Sequence, residues 1–204
     1  MALRIPFVLI VLSLLVGCAG MADATSRFAG LGVISEEVQS FDGATVVQMS
    51  PMFLYREGES MFGGVNTKLG ARWNSKTPTF VALILSYSGD ASGYRPSYLG
   101  FDGLDINIDG VISNHKTTGQ TAHDHSGYNS VSRTIYTKSE NVVIVPLATL
   151  EKMLQAKDCR LRVHTSKGFE DVHFSVERMP GGQGTAIIPM RDFMSRVKSK
   201  AASL

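Results

Sequence analysis

The sequence predicts an α+β fold, a mostly antiparallel β-sheet or sandwich with two helices in its C-terminal third. Three observations carry this expectation. Short apolar or alternating segments recur between Ala44 and Val145, with Gly, Asn, Asp and Ser in the gaps. The stretch CRLRVHTSKGFEDVHFSV, residues 159–176, buries all its apolar side chains in a single hairpin register. Two late segments combine a proline with apolar residues at helical spacing. The 204 residues suit one globular domain of 41–204, preceded by a leader at 1–17 and a tether at 18–40.

The leader comes first. A single Arg4 precedes an apolar run from Ile5 to Val16, too short to span a bilayer, which takes about 20 residues. A basic start, an apolar core and small residues form the pattern of an export signal. Leu15-Val16-Gly17-Cys18 resembles the lipobox of bacterial lipoproteins. That resemblance covers the first eighteen residues and implies diacylglycerol on the sulfur of Cys18, cleavage before it, and a fatty acyl group on the new amine. One acyl chain binds a membrane only marginally, so the additional chains make attachment effectively permanent. In the Gram-negative members of the class an aspartate after the cysteine retains the protein in the inner membrane. Ala19 stands there, which implies the outer membrane, with the domain facing the periplasm or the outside. The only other cysteine is Cys159, so a lipidated Cys18 leaves no internal disulfide.

After Cys18, AGMADATSRFAGLG is small, polar and rich in Gly and Ala, and reads as a flexible tether. SEEVQS reads as a short helical turn capped by Ser35, with Glu36 and Glu37 at the positive end of its dipole. ATVVQMSPMFLY is a strand pair, or one strand interrupted by Pro51. PTFVALILSYS is apolar on both faces from Phe80 to Leu85, as expected of a central covered strand. SVSRTIYTKS alternates with Val131, Arg133 and Ile135 on one side, and NVVIV is a further short buried strand.

Pro146 can open a helix, where its missing N–H is not needed, and Leu147, Leu150, Met153 and Leu154 follow at helical spacing. In the next hairpin, with Lys167 and Gly168 at the bend, Cys159, Leu161 and Val163 face Val176, Phe174 and Val172. The opposite face sets Arg162 against His173 and His164 against Asp171. PGGQG links this hairpin to a closing helix over IIPMRDFMSRV. PGGQG lacks the preceding strand and lysine of a phosphate loop.

Several function classes are disfavoured. The net charge is +2 and no basic run interleaves with aromatics, which argues against nucleic acid. The basic stretch Arg191 to Lys200 has the spacing of a solvated helix face. No G-x-S-x-G motif occurs, and the register turns Cys159 inward, so a periplasmic hydrolase is an alternative that only three-dimensional assembly of a site would support.

Metal binding is the other alternative. In DINIDGVISNHK, Asp105, Asn107 and Asp109 supply oxygens at alternate positions before Gly110, which resembles the calcium loop of an EF-hand. The twelfth place, a glutamate in that loop, holds Lys116 here, and flanking helix signals are missing. The competing expectation is a β-hairpin turning at Asp109-Gly110 with Leu104, Ile106 and Ile108 inward. In TAHDHSG, His123 and His125 have a spacing usable by zinc, set against an exposed polar loop. Calcium and zinc are the cofactors to test. The leading expectation is a non-enzymatic lipoprotein with a binding, assembly or structural role, whose partner is another envelope protein or a cell-wall component.

Overall fold

The computed structural model describes residues 22–57, 67–92 and 97–202. Cys18 and the whole leader lie outside the described residues. Helix α1 covers 22–28. The strands β1 (Ile34–Val38), β2 (Thr45–Phe53), β3 (Thr67–Asn74), β4 (Phe80–Asp90), β7 (Ala122–Asn129) and β8 (Thr134–Pro146) form one sheet, in the order β1-β2-β3-β4-β8-β7. A second sheet holds β5 (Phe101–Ile108), β6 (Val111–Lys116), β9 (Cys159–Thr165) and β10 (Gly168–His173), in the order β10-β9-β5-β6. Every pairing is antiparallel. Helices α2 (Leu147–Gln155) and α3 (Ile187–Ala201) complete the chain. The α+β, sandwich-like expectation therefore holds.

The two sheets enclose one core. From the first come Leu69, Trp73, Leu83, Leu85, Tyr87 and Val143; from the second, Leu104, Ile106, Leu161 and Val163. Helix α3 adds Ile187, Met190, Phe193 and Val197, and α2 adds Leu150 and Met153. Pro146 does stand at the N-cap of α2. The second sheet is tied to the first at both ends. His173 N–H donates to Tyr55 O just beyond β2, and Thr118 N–H donates to Val142 O on β8.

A row of inward polar side chains on β8 supports this junction. Thr137, Ser139 and Asn141 occupy buried positions that alternation would assign to apolar residues. The Thr137 hydroxyl donates to Ser97 O, Leu99 N–H donates to Ser139 Oγ (3.1 Å), and Asn141 Nδ2 donates to Phe101 O (3.1 Å) and Gly119 O (3.0 Å). Burying these polar atoms is tolerated because each is paired. Together they fix the loops at either end of the β5–β6 hairpin.

Several expectations are corrected. The segment assigned to the tether is folded from residue 22 onward. Arg178 clamps Asp23 through two hydrogen bonds of 3.1 and 2.8 Å, Ser26 is buried, and a Cβ on Gly32 would meet Pro189 Cγ at 2.9 Å. SEEVQS is not a helical turn but largely the edge strand β1. Glu36 there binds Arg196 (3.1 Å) and Lys200 (2.9 Å) of α3, which hold its carboxyl below the usual range. Local composition signals flexibility and a cap; long-range pairing overrides both.

Strand β4 is central, but its outer face is only half covered: Val81, Leu83, Leu85 and Tyr87 are buried, Ala82 and Ile84 partly so. The two segments read at 130–139 and 141–145 are one continuous strand from Thr134, and Val131 and Arg133 lie in the preceding turn. Pro51 sits in one strand rather than between two, at a bulge between Met49 and Met52. Gly70 opposite makes room for it, since a Cβ there would lie 2.8 Å from Met49 O.

The β9–β10 faces are as expected except that the apolar Phe169 lies exposed on the outer face, and the register differs by two residues. Ser166 and Lys167 form the turn, so Leu161 pairs with Val172 and Arg162 with Asp171. A two-residue shift preserves which face each side chain occupies, so alternation alone could not detect it.

Candidate functional site

The outer face of the second sheet concentrates polar chemistry. Strands β5, β9 and β10 turn Leu104, Ile106, Leu161, Val163 and Val172 inward, while the edge strand β6 buries no side chain. The outward residues then line up in rows set by the register. One row runs Asn114, Asp105, Arg162, Asp171 across β6, β5, β9 and β10. On one side lies Ile112, Asn107, Arg160, His173, and on the other Lys116, Gly103, His164, Phe169.

The central row is a charge-alternating network. Asp105 Oδ1 accepts from Asn114 Nδ2 at 2.7 Å, and Oδ2 meets His164 Nε2 at 2.8 Å. Gly103 faces His164 without a side chain, so the imidazole turns diagonally to Asp105. Burial pushes the Asp105 carboxyl up, but the Asn114 amide, His164 and Arg162 outweigh it and hold the group below its ordinary value.

Arg162 donates through Nε (2.7 Å) and Nη2 (2.8 Å) to the two oxygens of Asp171, the bidentate geometry a planar guanidinium favours. Its guanidinium carbon also lies 4.2 Å from the centre of the Phe169 ring. Arg162 lowers the Asp171 pKa, and Asp171 raises that of Arg162. Both side chains are about half exposed, so the pair contributes orientation more than stability.

Beside this network lies a cavity of about 280 Å³ whose lining includes Asn107, Ile112, Arg160, Arg162 and His173. Asp158 holds Arg160 through its Nε at 2.9 Å, and the ring of His173 lies against Tyr55 at 5.8 Å between centroids. Guanidinium, amide, imidazole and carboxylate groups thus surround a groove with one apolar wall. Such a surface can hydrogen-bond polar ligands and stack planar ones. Its groups are held by each other and by the sheet, which limits the ordering cost of binding.

The residues of the calcium-like stretch separate. Asp105 and Asn107 do share the outer face, but Asn107 Oδ1 accepts from Gly110 N–H at 2.9 Å. Asp109 sits in the turn and accepts from Asp158 N–H at 2.9 Å. The turn is the tight hairpin form, with positive φ at both Asp109 (50°) and Gly110 (94°). It leaves Ile112 exposed on the polar face. The oxygens spaced like an ion loop are directed at four different protein partners, because a strand projects its side chains in line rather than around a centre.

His123 and His125 lie on the edge strand β7, which replaces the expected loop. They share a face but have separate partners. His123 Nδ1 is 3.1 Å from Ser139 Oγ, with its ring edge against Tyr98, and His125 Nδ1 is 3.1 Å from Ser126 O. Among the described residues no group of three His, Cys, Asp or Glu side chains is placed to share one ion. Ser139, the serine beside His123, is fully buried and receives the Leu99 N–H, so this Ser–His contact anchors a loop. Cys159 is also fully buried, as the hairpin register requires, and its thiol is pushed up to about 12 by burial, with Asp158 and Asp109 adding to the effect.

Sequence reasoning placed Arg162, His164, Asp171 and His173 on one exposed face. It missed that Asp105, Asn107 and Asn114 complete that face, because the β5–β9 pairing joins segments more than fifty residues apart. No protein-family model matches the chain, and no curated protein matches it significantly.

Proposed function

We propose that this chain is a lipid-anchored bacterial envelope protein, held through Cys18 and most consistent with the outer membrane. Its folded domain is a non-enzymatic binding module. It presents the outer face of the second sheet to another envelope protein or a cell-wall component. The lipobox-like Leu15-Val16-Gly17-Cys18 supports the anchor. The ordered rows of Arg160, Arg162, His164, Asp105 and Asp171 around an open groove carry the binding reading. No helix among the described residues is long and apolar enough to cross a membrane, and a lipid anchor does not need one.

Two measurements test this. Cys18→Ser is expected to abolish incorporation of labelled palmitate and to release the protein from membranes; unchanged labelling refutes the anchor. A photo-cross-linking residue at Asn107 is expected to capture a discrete partner in intact cells. The same residue at Lys76, in the β3–β4 turn, is expected not to. Equal capture patterns at the two positions refute the assignment of the binding face.

A further inference from the structure

The first described helix sits close to the proposed anchor. Cys18 and Ala22 are four residues apart, so the chain between them can reach at most roughly 14 Å. Helix α1 begins at residue 22 and is pinned to the domain, through Asp23 to Arg178 and through buried Ser26. It does not swing free. Seven residues of helix extend about 10 Å. A lipidated Cys18 therefore holds all of α1 within reach of the bilayer surface, whose headgroup layer is itself about 5–7 Å deep on each side.

At the end of this helix stands Phe28, 97% exposed. Beside it Arg27 is also largely exposed, with Asp192 only at 3.8 Å. Arg27 borders a cavity of about 510 Å³ that is lined as well by Val33, Ile34, Asp192, Ser195 and Arg196. An aromatic ring and an adjacent guanidinium match the layered chemistry of a lipid interface. The ring enters the apolar boundary, while the cation extends to the phosphate level. In water that ring has no cover. Among the other exposed aromatic rings, Phe41 stands in the turn between β1 and β2, and Phe169 and Tyr128 lie on strands farther along the chain from the anchor.

We propose that α1 is a membrane-contacting element: Phe28 inserts at the headgroup–acyl boundary, and Arg27 meets lipid phosphate at the mouth of the adjoining cavity. The domain then rests on the bilayer in a fixed orientation instead of ranging on a long tether. This inference depends on Cys18 being the lipid attachment site.

The test uses the full chain, processed in a bacterial host and reconstituted into vesicles. These contain phosphatidylethanolamine and phosphatidylglycerol with brominated acyl chains, which quench nearby indoles. Phe28→Trp and Phe169→Trp are compared with the wild type, whose single Trp73 is buried and supplies a constant background. Palmitate labelling is measured on the same preparations. The expected result is labelled protein in which the indole at 28 loses most of its emission and shifts to the blue, while that at 169 does neither. Labelled, vesicle-bound protein with equal emission at both positions overturns the contact and leaves the anchor standing. Unlabelled protein that stays in solution overturns both.

Discussion

Replacing Asn141 with aspartate should separate the structural role of the buried polar row from mere occupancy of its space. The amide is 6% exposed; its Nδ2 donates to Phe101 O and Gly119 O, and its Oδ1 accepts from Val142 N–H at 2.8 Å. An ionised aspartate keeps the acceptor but turns a second oxygen toward two carbonyls. Gly119 is exposed and Phe101 O also accepts from the Thr117 and Thr121 hydroxyls (3.3 and 3.4 Å), so the cost lies chiefly in the charge: a buried charge left without compensation costs about 3–5 kcal/mol, and a loss of about 3 kcal/mol is expected at pH 7. That is a large share of the roughly 5–15 kcal/mol that holds a domain together.

The sign of the pH dependence follows from the same geometry. Burial and the facing carbonyls raise the folded-state pKa of the new carboxyl above its unfolded value. The folded state therefore binds its proton more tightly, and the deficit shrinks as pH falls from the folded pKa toward about 3.9. Protonation also restores a donor. Urea unfolding followed by Trp73 fluorescence at pH 7 and pH 5 reads this directly. Asn141→Leu, which deletes the donor without adding charge, should cost less and show no such pH dependence. A variant within about 1 kcal/mol of wild type at pH 7, or a deficit that does not change with pH, would sink the reasoning.

Two further predictions concern the candidate face and the core. In an NMR titration the Asp105 carboxyl should titrate below its ordinary 3.8, and Asn114→Ala should move it upward. Because the folded value is depressed, the associated stability is present above 3.8 and is lost as pH falls through the folded pKa; an unmoved titration in the variant contradicts the Asn114 contribution. Cys159 should resist iodoacetamide in the native protein at pH 8 and react on unfolding in urea, measured by mass on the peptide that carries it. Rapid native-state labelling would mean that the β9 register or the burial is wrong.

Much of the fold was legible because strand and helix periods differ. The alternation of 159–176 assigned both faces of the β9–β10 hairpin, and proline followed by apolar residues marked α2. The hairpin reading of Asp109-Gly110 was equally local, since the turn needs two residues at positive φ and glycine accepts one without strain. What failed locally was decided at a distance. SEEVQS carries a cap signal, yet it pairs with β2 and binds α3 through Glu36. The glycine- and alanine-rich stretch before it looks like a tether, yet Asp23 meets Arg178, more than one hundred and fifty positions away in the chain.

The candidate face shows the same division. Its residues were individually visible, and half of them were assigned to one exposed surface from the β9–β10 pattern alone. The assembly of Asp105 with His164, and of Arg160 with Asn107, depends on β5 lying beside β9. By itself, the sequence determined the period of α2 and of the β9–β10 hairpin, the inward sides of those two strands, and an N-terminal motif readable without any fold; β1 and β7 it read as a turn and a loop. Only the tertiary structure decided which strands became neighbours. Alternation specifies a face but not a partner, and a shift of two residues or a change of neighbouring strand leaves that face intact.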